Sequence, residues 1–363
     1  MMHRRQFVRT ALVAGGASSL ALVTQAQPGG PAAANADPVP AEAQQVIDRS
    51  LAVLASGQAP DGSFADSQTN FGNVAITGLA GLALMAAGHQ PGRGRYGGAV
   101  AKAADYVVRR GNSNPSTPGY LNNADTQMRH GSMYQHGFGA LFLAEVYGMV
   151  PSPDKQRALR VMLERAIGLT RNAQNAEGGW RYEPRPEQVA DVSVTVAQLM
   201  ALRAAKNAGV AVPKSVVDKC VAYNKACQLP DGGFCYKKNE RGVGSGFART
   251  AAAVVGLFSA GIYDGKEVDG GLAYLMRYVP GRRANFAQAG PDHYFYGHYY
   301  AALAMWTAGG NYWAEWFPAI RDELLARYRQ TNGWIDWHGP GYATAMACII
   351  LQLPNNYLPI MQK

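Results

Sequence analysis

Cysteine is scarce, with four in 363 residues. Cys220 and Cys227 lie seven apart on one expected helix, roughly 10 Å by helical rise, which is too far for a direct bridge. Cys235 and Cys348 are left as partners for either, so the pairing stays open, with reduced, buried thiols the simplest state. Charge is sparse as well, at 16% of residues. Lysine and arginine are scattered, with no aromatic-interleaved basic run, which excludes nucleic-acid readout. The uncharged stretch from Thr10 to Ala26 is too short and Gly-rich to make a good membrane span. That leaves at most peripheral contact with a membrane.

The same stretch reads better as part of a leader. Arg4-Arg5-Gln6-Phe7-Val8-Arg9 is a twin-arginine pattern, followed by a moderately apolar core and small residues at Thr24-Gln25-Ala26. Residues 1–26 are therefore expected to be an export signal, with a second cleavage site at Ala34-Asn35-Ala36. Residues 27–41, rich in Pro and Ala, read as a flexible linker. Residues 42–363 read as one large folded domain working in the periplasm or outside the cell. Without Arg4, Arg5 and Arg9 the formal charge falls from +9 to +6. Spread over outer faces, that charge gives weak attraction to anionic glycans or envelope surfaces.

Glycine is abundant, at 42 residues, and its placement is periodic. Gly-aromatic turns recur at Asp61-Gly62-Ser63-Phe64, Glu177-Gly178-Gly179-Trp180, Asp231-Gly232-Gly233-Phe234 and Asn332-Gly333-Trp334. Weaker turns fall at Gly119-Tyr120-Leu121 and near Asn285-Phe286. The spacing, 50 to 58 positions per step, implies one supersecondary unit per repeat. An amphipathic helix precedes each marked turn; in unit four its apolar positions are Val216, Val217, Cys220, Val221 and Tyr223. A small-residue, apolar segment follows, beginning near Val74, Met133, Asp191, Gly246, His293 and Tyr342. Several of these segments end in Gly, at Gly88, Gly209, Gly261 and Gly309. A helix apolar nearly all round is buried between neighbours. Six such hairpins close into an all-α fold, an α/α toroid with inner and outer helix rings. An open solenoid is the alternative.

The repeat resembles that of the prenyltransferase/squalene-oxidase repeat family, which includes squalene/hopene cyclases and protein prenyltransferase β subunits. Cys227-Gln228-Leu229-Pro230-Asp231-Gly232-Gly233-Phe234 carries the resemblance best, and it extends over roughly residues 42 to 355. It implies the toroid, but the catalytic sets do not follow. The cyclase acid cluster, Asp-x-Asp-Asp-Thr-Ala, is matched by Val189-Ala190-Asp191-Val192-Ser193-Val194, which keeps only the middle carboxylate; Asp191 then reads as a helix cap. The prenyltransferase zinc set needs Asp-x-Cys at an inner-helix start, where this chain has Gly244-Ser245-Gly246-Phe247. The Gly-Cys-Gly-Glu-Gln of thioester domains is absent. No metal or cofactor is expected.

In a toroid, chemistry belongs where the inner helices begin, since their N-termini offer free N–H groups. The candidates there are His130 and His136, Asp191 and Ser193, Arg249 and Thr250, Asp336, His338 and Tyr342, and the cluster from Asp292 to Tyr300. Asp191, His298 and Tyr299 are the catalytic candidates; His136, Arg249, His293, Tyr296, Tyr300 and Asp336 are the ligand-binding ones. The first reading is an exported toroid that binds an apolar or extended ligand, or a protein partner, in its cavity. The alternative is an enzyme acting on a terpenoid or an envelope glycan, as a cyclase, lyase or hydrolase. Convergence of Asp191, His298 and Tyr299 on one open cavity favours the enzyme; a filled lumen favours protein contact.

Overall fold

The computed structural model describes residues 39–64, 71–113, 115–125, 132–281 and 293–362. The leader, most of the linker, the turn near Asn285-Phe286, and the candidates His130 and Asp292 lie outside the described residues. Twelve α-helices are found among those described. The outer ones are α1 (Ala41–Ser56), α3 (Gly97–Asn112), α5 (Pro153–Ala173), α7 (Lys214–Ala226), α9 (Lys266–Leu275) and α11 (Gly310–Thr331). The inner ones are α2 (Val74–Ala86), α4 (Met133–Tyr147), α6 (Val192–Asn207), α8 (Phe247–Ser259), α10 (Tyr294–Ala308) and α12 (Pro340–Leu351). Each inner helix packs on the next, and α12 packs back on α2, so the ring closes. The protein is an all-α, α/α toroid. Closure rather than an open solenoid follows from the inner helices' composition. Every residue of α2 is buried, and a helix apolar all round needs neighbours on both sides.

The repeated turn explains itself in contacts. Gln228 Nε2 donates to its own turn at the Gly232 carbonyl (3.0 Å) and to Glu267 O on the next outer helix (2.9 Å). Gln174 does the same to Gly178 O and Val216 O, and Gln58 to Gly62 O and Ala99 O. The turn glycine sits against that neighbouring helix. At Gly232, with φ of +87°, a Cβ would come within 2.4 Å of Gly270 O, so only glycine fits. The backbone N–H of the turn aromatic donates to a threonine on the inner helix: Phe64 to Thr77, Trp180 to Thr195, Phe234 to Thr250. In units one, three and four, Gln, Gly and Thr thus join the hairpin internally and to its successor.

The C-terminal segment seals the end of the ring opposite the turns. Trp306 Nε1 donates to Met361 O (3.0 Å), Arg203 to Phe258 O and Gln362 O, and Ile360 N to the buried Glu145 carboxylate. We call the opposite end, where the inner helices begin, the mouth. Lower in the ring, side chains from the opposed helices α4 and α10 meet across the axis, Phe138 to Tyr299 with ring centroids 6.4 Å apart. The interior at that depth is filled by the chain's own aromatics. No described helix is long and apolar enough to cross a membrane.

Candidate functional site

At the mouth, α6 begins on Asp191. Its backbone pairs with Trp180, and its Oδ1 accepts from Val194 N at 2.9 Å, so it caps the helix as the sequence implies. Its Oδ2 has no hydrogen-bond partner at normal length. The residue is completely buried. Burial raises its pKa from 3.8 to about 7, against the opposing pull of the Val194 N–H, the Arg181 charge and the Tyr236 hydroxyl. A carboxyl poised near neutrality can both give and take a proton.

Around it stands a collar of tyrosines from four units. Tyr182 and Tyr236 share a hydroxyl hydrogen bond of 2.5 Å. Tyr134 lies 6.5 Å from Tyr182 and 6.4 Å from Tyr296, centroid to centroid. Tyr296 donates to Ser193 O at 3.1 Å and packs on Tyr300 at 4.7 Å. Burial lifts the phenols of Tyr134, Tyr236 and Tyr296 above the ordinary tyrosine range, so they stay neutral donors at any working pH. Beside the collar opens a cleft of about 450 Å³ lined by Arg181, Arg185, Pro186, Glu187, Gln188 and Val189. The Arg181 guanidinium rests 5.1 Å from the Tyr182 ring, and its Nε is without a hydrogen bond. On the unit-six side, Asp336 accepts from His338 Nδ1 at 2.8 Å, and Trp337 is 54% exposed.

Of the other sequence candidates, Tyr300 backs the collar through Tyr296, and the rest are placed apart from it. His298 does not converge with Asp191. It faces Phe247, Trp316 and Tyr294, towards α8 and the outer helix α11, where burial pulls its pKa down to about 3. Tyr299 lies below the mouth against Phe138, and Tyr300 is fully buried beside it. His136 accepts from Leu121 N and meets Thr170 Oγ1 at 2.9 Å, with a pKa lowered to about 4; it ties α4 to α5. Arg249 folds back on Gly244 O, and Thr250 serves the turn. His293 is exposed at the start of α10. Sequence reading did not single out Arg181, Tyr134, Tyr182 and Tyr236. The signal was present, because Arg181-Tyr182 and Tyr236 directly follow the repeat turns. No group of three or more His, Cys, Asp or Glu gathers among the described residues.

No family model matches the chain, and no curated protein matches it. Among solved structures it resembles a cellobiose 2-epimerase from Bacillus thermoamylovorans B4167, at 11% identity and a TM-score of 0.60, covering 86% of this chain and 99% of that one. It also resembles an α-1,6-mannanase of Salegentibacter sp. HEL1_6, at 8% identity and a TM-score of 0.58, covering 87% and 99%. A D-mannose isomerase matches at 13% identity with a TM-score of 0.53, covering 85% and 96%. At these identities the likeness shows the fold, the α/α toroid, and nothing narrower. It supports the toroid implied by the prenyltransferase resemblance, without supporting that family in particular.

Proposed function

We propose that this protein is an exported enzyme acting on an extended glycan, with Asp191 as its general acid/base. One observation carries the reading: a buried carboxyl near pKa 7, whose Oδ2 makes no hydrogen bond of normal length, stands at the turn end of the toroid among neutral tyrosine hydroxyls. A cap alone needs one oxygen and gains nothing from a raised pKa. Perturbed titratable groups beside a cleft mark functional sites more often than chance. The adjoining cleft offers arginines and a glutamate for sugar hydroxyls or an acidic sugar, and the exposed Trp337 ring suits stacking on a sugar face. Three toroids of similar fold are named for sugar substrates, and one was solved with α-1,6-mannotriose bound. The filled interior argues for a ligand seated at the rim rather than threaded into the lumen.

The test is turnover of defined oligosaccharides, including α-1,6-mannotriose and cellobiose, followed by mass spectrometry. Hydrolysis adds one water to the products; isomerisation leaves the mass unchanged and alters the retention time. Asp191→Asn is expected to cut kcat by about 100-fold or more, the scale of lost general acid/base catalysis, while the variant still folds. Full activity in that variant would remove Asp191 from the chemistry.

A further inference from the structure

Two of the four cysteines face each other across the unit-four turn. Cys227 caps the C-terminus of α7, and Cys235 follows the turn aromatic Phe234. Between them Gln228 and Phe234 form an antiparallel bridge. Its flanking bonds run from Cys235 N to Cys227 O at 2.9 Å and from Leu229 N to Gly233 O at 2.8 Å. Residues opposed in an antiparallel pair stand with Cα atoms about 4.5–5.5 Å apart, inside the range a disulfide spans. In the reduced state Cys235 Sγ donates to Lys237 O at 3.2 Å, a bond that the bridge would replace. At the equivalent positions, unit one has Gly57 and Ala65, and unit three has Ala173 and Arg181. Only unit four, of the units with this Gln-to-aromatic turn, places cysteine on both flanks. Cys220 lies one helix segment earlier and Cys348 in unit six.

We infer that Cys227 and Cys235 are a disulfide site that staples the unit-four turn. The staple acts next to the collar, because Tyr236 is the residue after Cys235 and its hydroxyl bonds Tyr182. The step needs a disulfide donor, such as an exchange protein of an oxidising compartment or oxidised glutathione. Burial raises both thiols, Cys227 to about 12, but at Cys235 the Arg241 and Arg249 charges oppose it, so Cys235 is the entering nucleophile. The Cys235 thiolate attacks one sulfur of the donor, giving a mixed disulfide and releasing one donor thiolate. Cys227 then loses its proton and displaces the second donor thiolate, forming the protein disulfide. Two protein thiols are oxidised, and one donor disulfide is reduced to two thiols.

The test uses the full folded domain, reduced and then equilibrated with oxidised glutathione. Expected are a mass lower by two hydrogens, two titratable thiols left after denaturation, and a non-reduced peptide map joining Cys227 to Cys235. The oxidised form should melt a few degrees above the reduced one, and Cys235→Ser should abolish that difference. Cys227→Ser should instead trap Cys235 as a glutathione adduct, since the displacing thiol is gone. Four surviving thiols, or a bridge through Cys220 or Cys348, would overturn the assignment. These readouts require no substrate, so they stand or fall apart from the glycan reading.

Discussion

On the proposed reading Asp191 has two roles, and they separate by oxygen. Oδ1 caps α6; Oδ2 is uncommitted. The raised pKa has a thermodynamic consequence. The folded state holds the proton more tightly than the unfolded chain, whose carboxyl titrates near 3.8. The contribution to stability is therefore complete below about pH 4 and is lost as pH rises through about 7. Its ceiling is about 4 kcal/mol, each pKa step being worth about 1.4 kcal/mol. Asp191→Asn keeps an oxygen for the cap but cannot ionise. Denaturant midpoints at pH 5 and pH 8 should fall with pH in the parent protein and lie closer together in the variant. Equal slopes in both would mean that Asp191 is ionised in the fold.

At the scale of elements, the inner-helix starts were legible to within a residue or two because composition changes sharply there. Val74 and Met133 open helices, and Asp191, Gly246 and His293 immediately precede them; α12 starts two residues ahead of Tyr342. Side-chain direction was not legible, since a helix start fixes position but not which way each residue points. His298 and Tyr299 are adjacent in sequence yet turn about 100° apart around a helix, so one faces the outer layer while the other faces the axis. The glutamine of the turn was visible as a motif letter without its purpose. Its purpose is to bridge successive hairpins. Gln228→Ala removes two hydrogen bonds to partly buried carbonyls and should cost about 1–3 kcal/mol, read as a lower melting temperature with the ring still helical by circular dichroism. An unchanged melting temperature would reduce the clamp to a surface contact.

For the whole molecule, the two ends of the ring are unlike, and on the proposed reading that asymmetry directs the glycan to one of them. The turn end carries Asp191 and the tyrosine collar. The far end is closed by a tail whose backbone accepts from Trp306 and Arg203 and donates to Glu145. Leu358, Ile360 and Met361 are buried there, each worth about 1.5–3 kcal/mol when fully withdrawn from water. Deleting residues 354–363 exposes the C-terminal ends of the inner helices together with those contacts. The expected outcome is a loss of several kcal/mol and stronger binding of a hydrophobic dye. Unfolding should also be less cooperative, because the tail ties α10, through Trp306, to α4 and α6, through Glu145 and Arg203, which are not its ring neighbours. Calorimetry decides the point. A single sharp transition at the parent temperature would show that the inner ring coheres by helix packing alone, and that the tail is a cover rather than a tie.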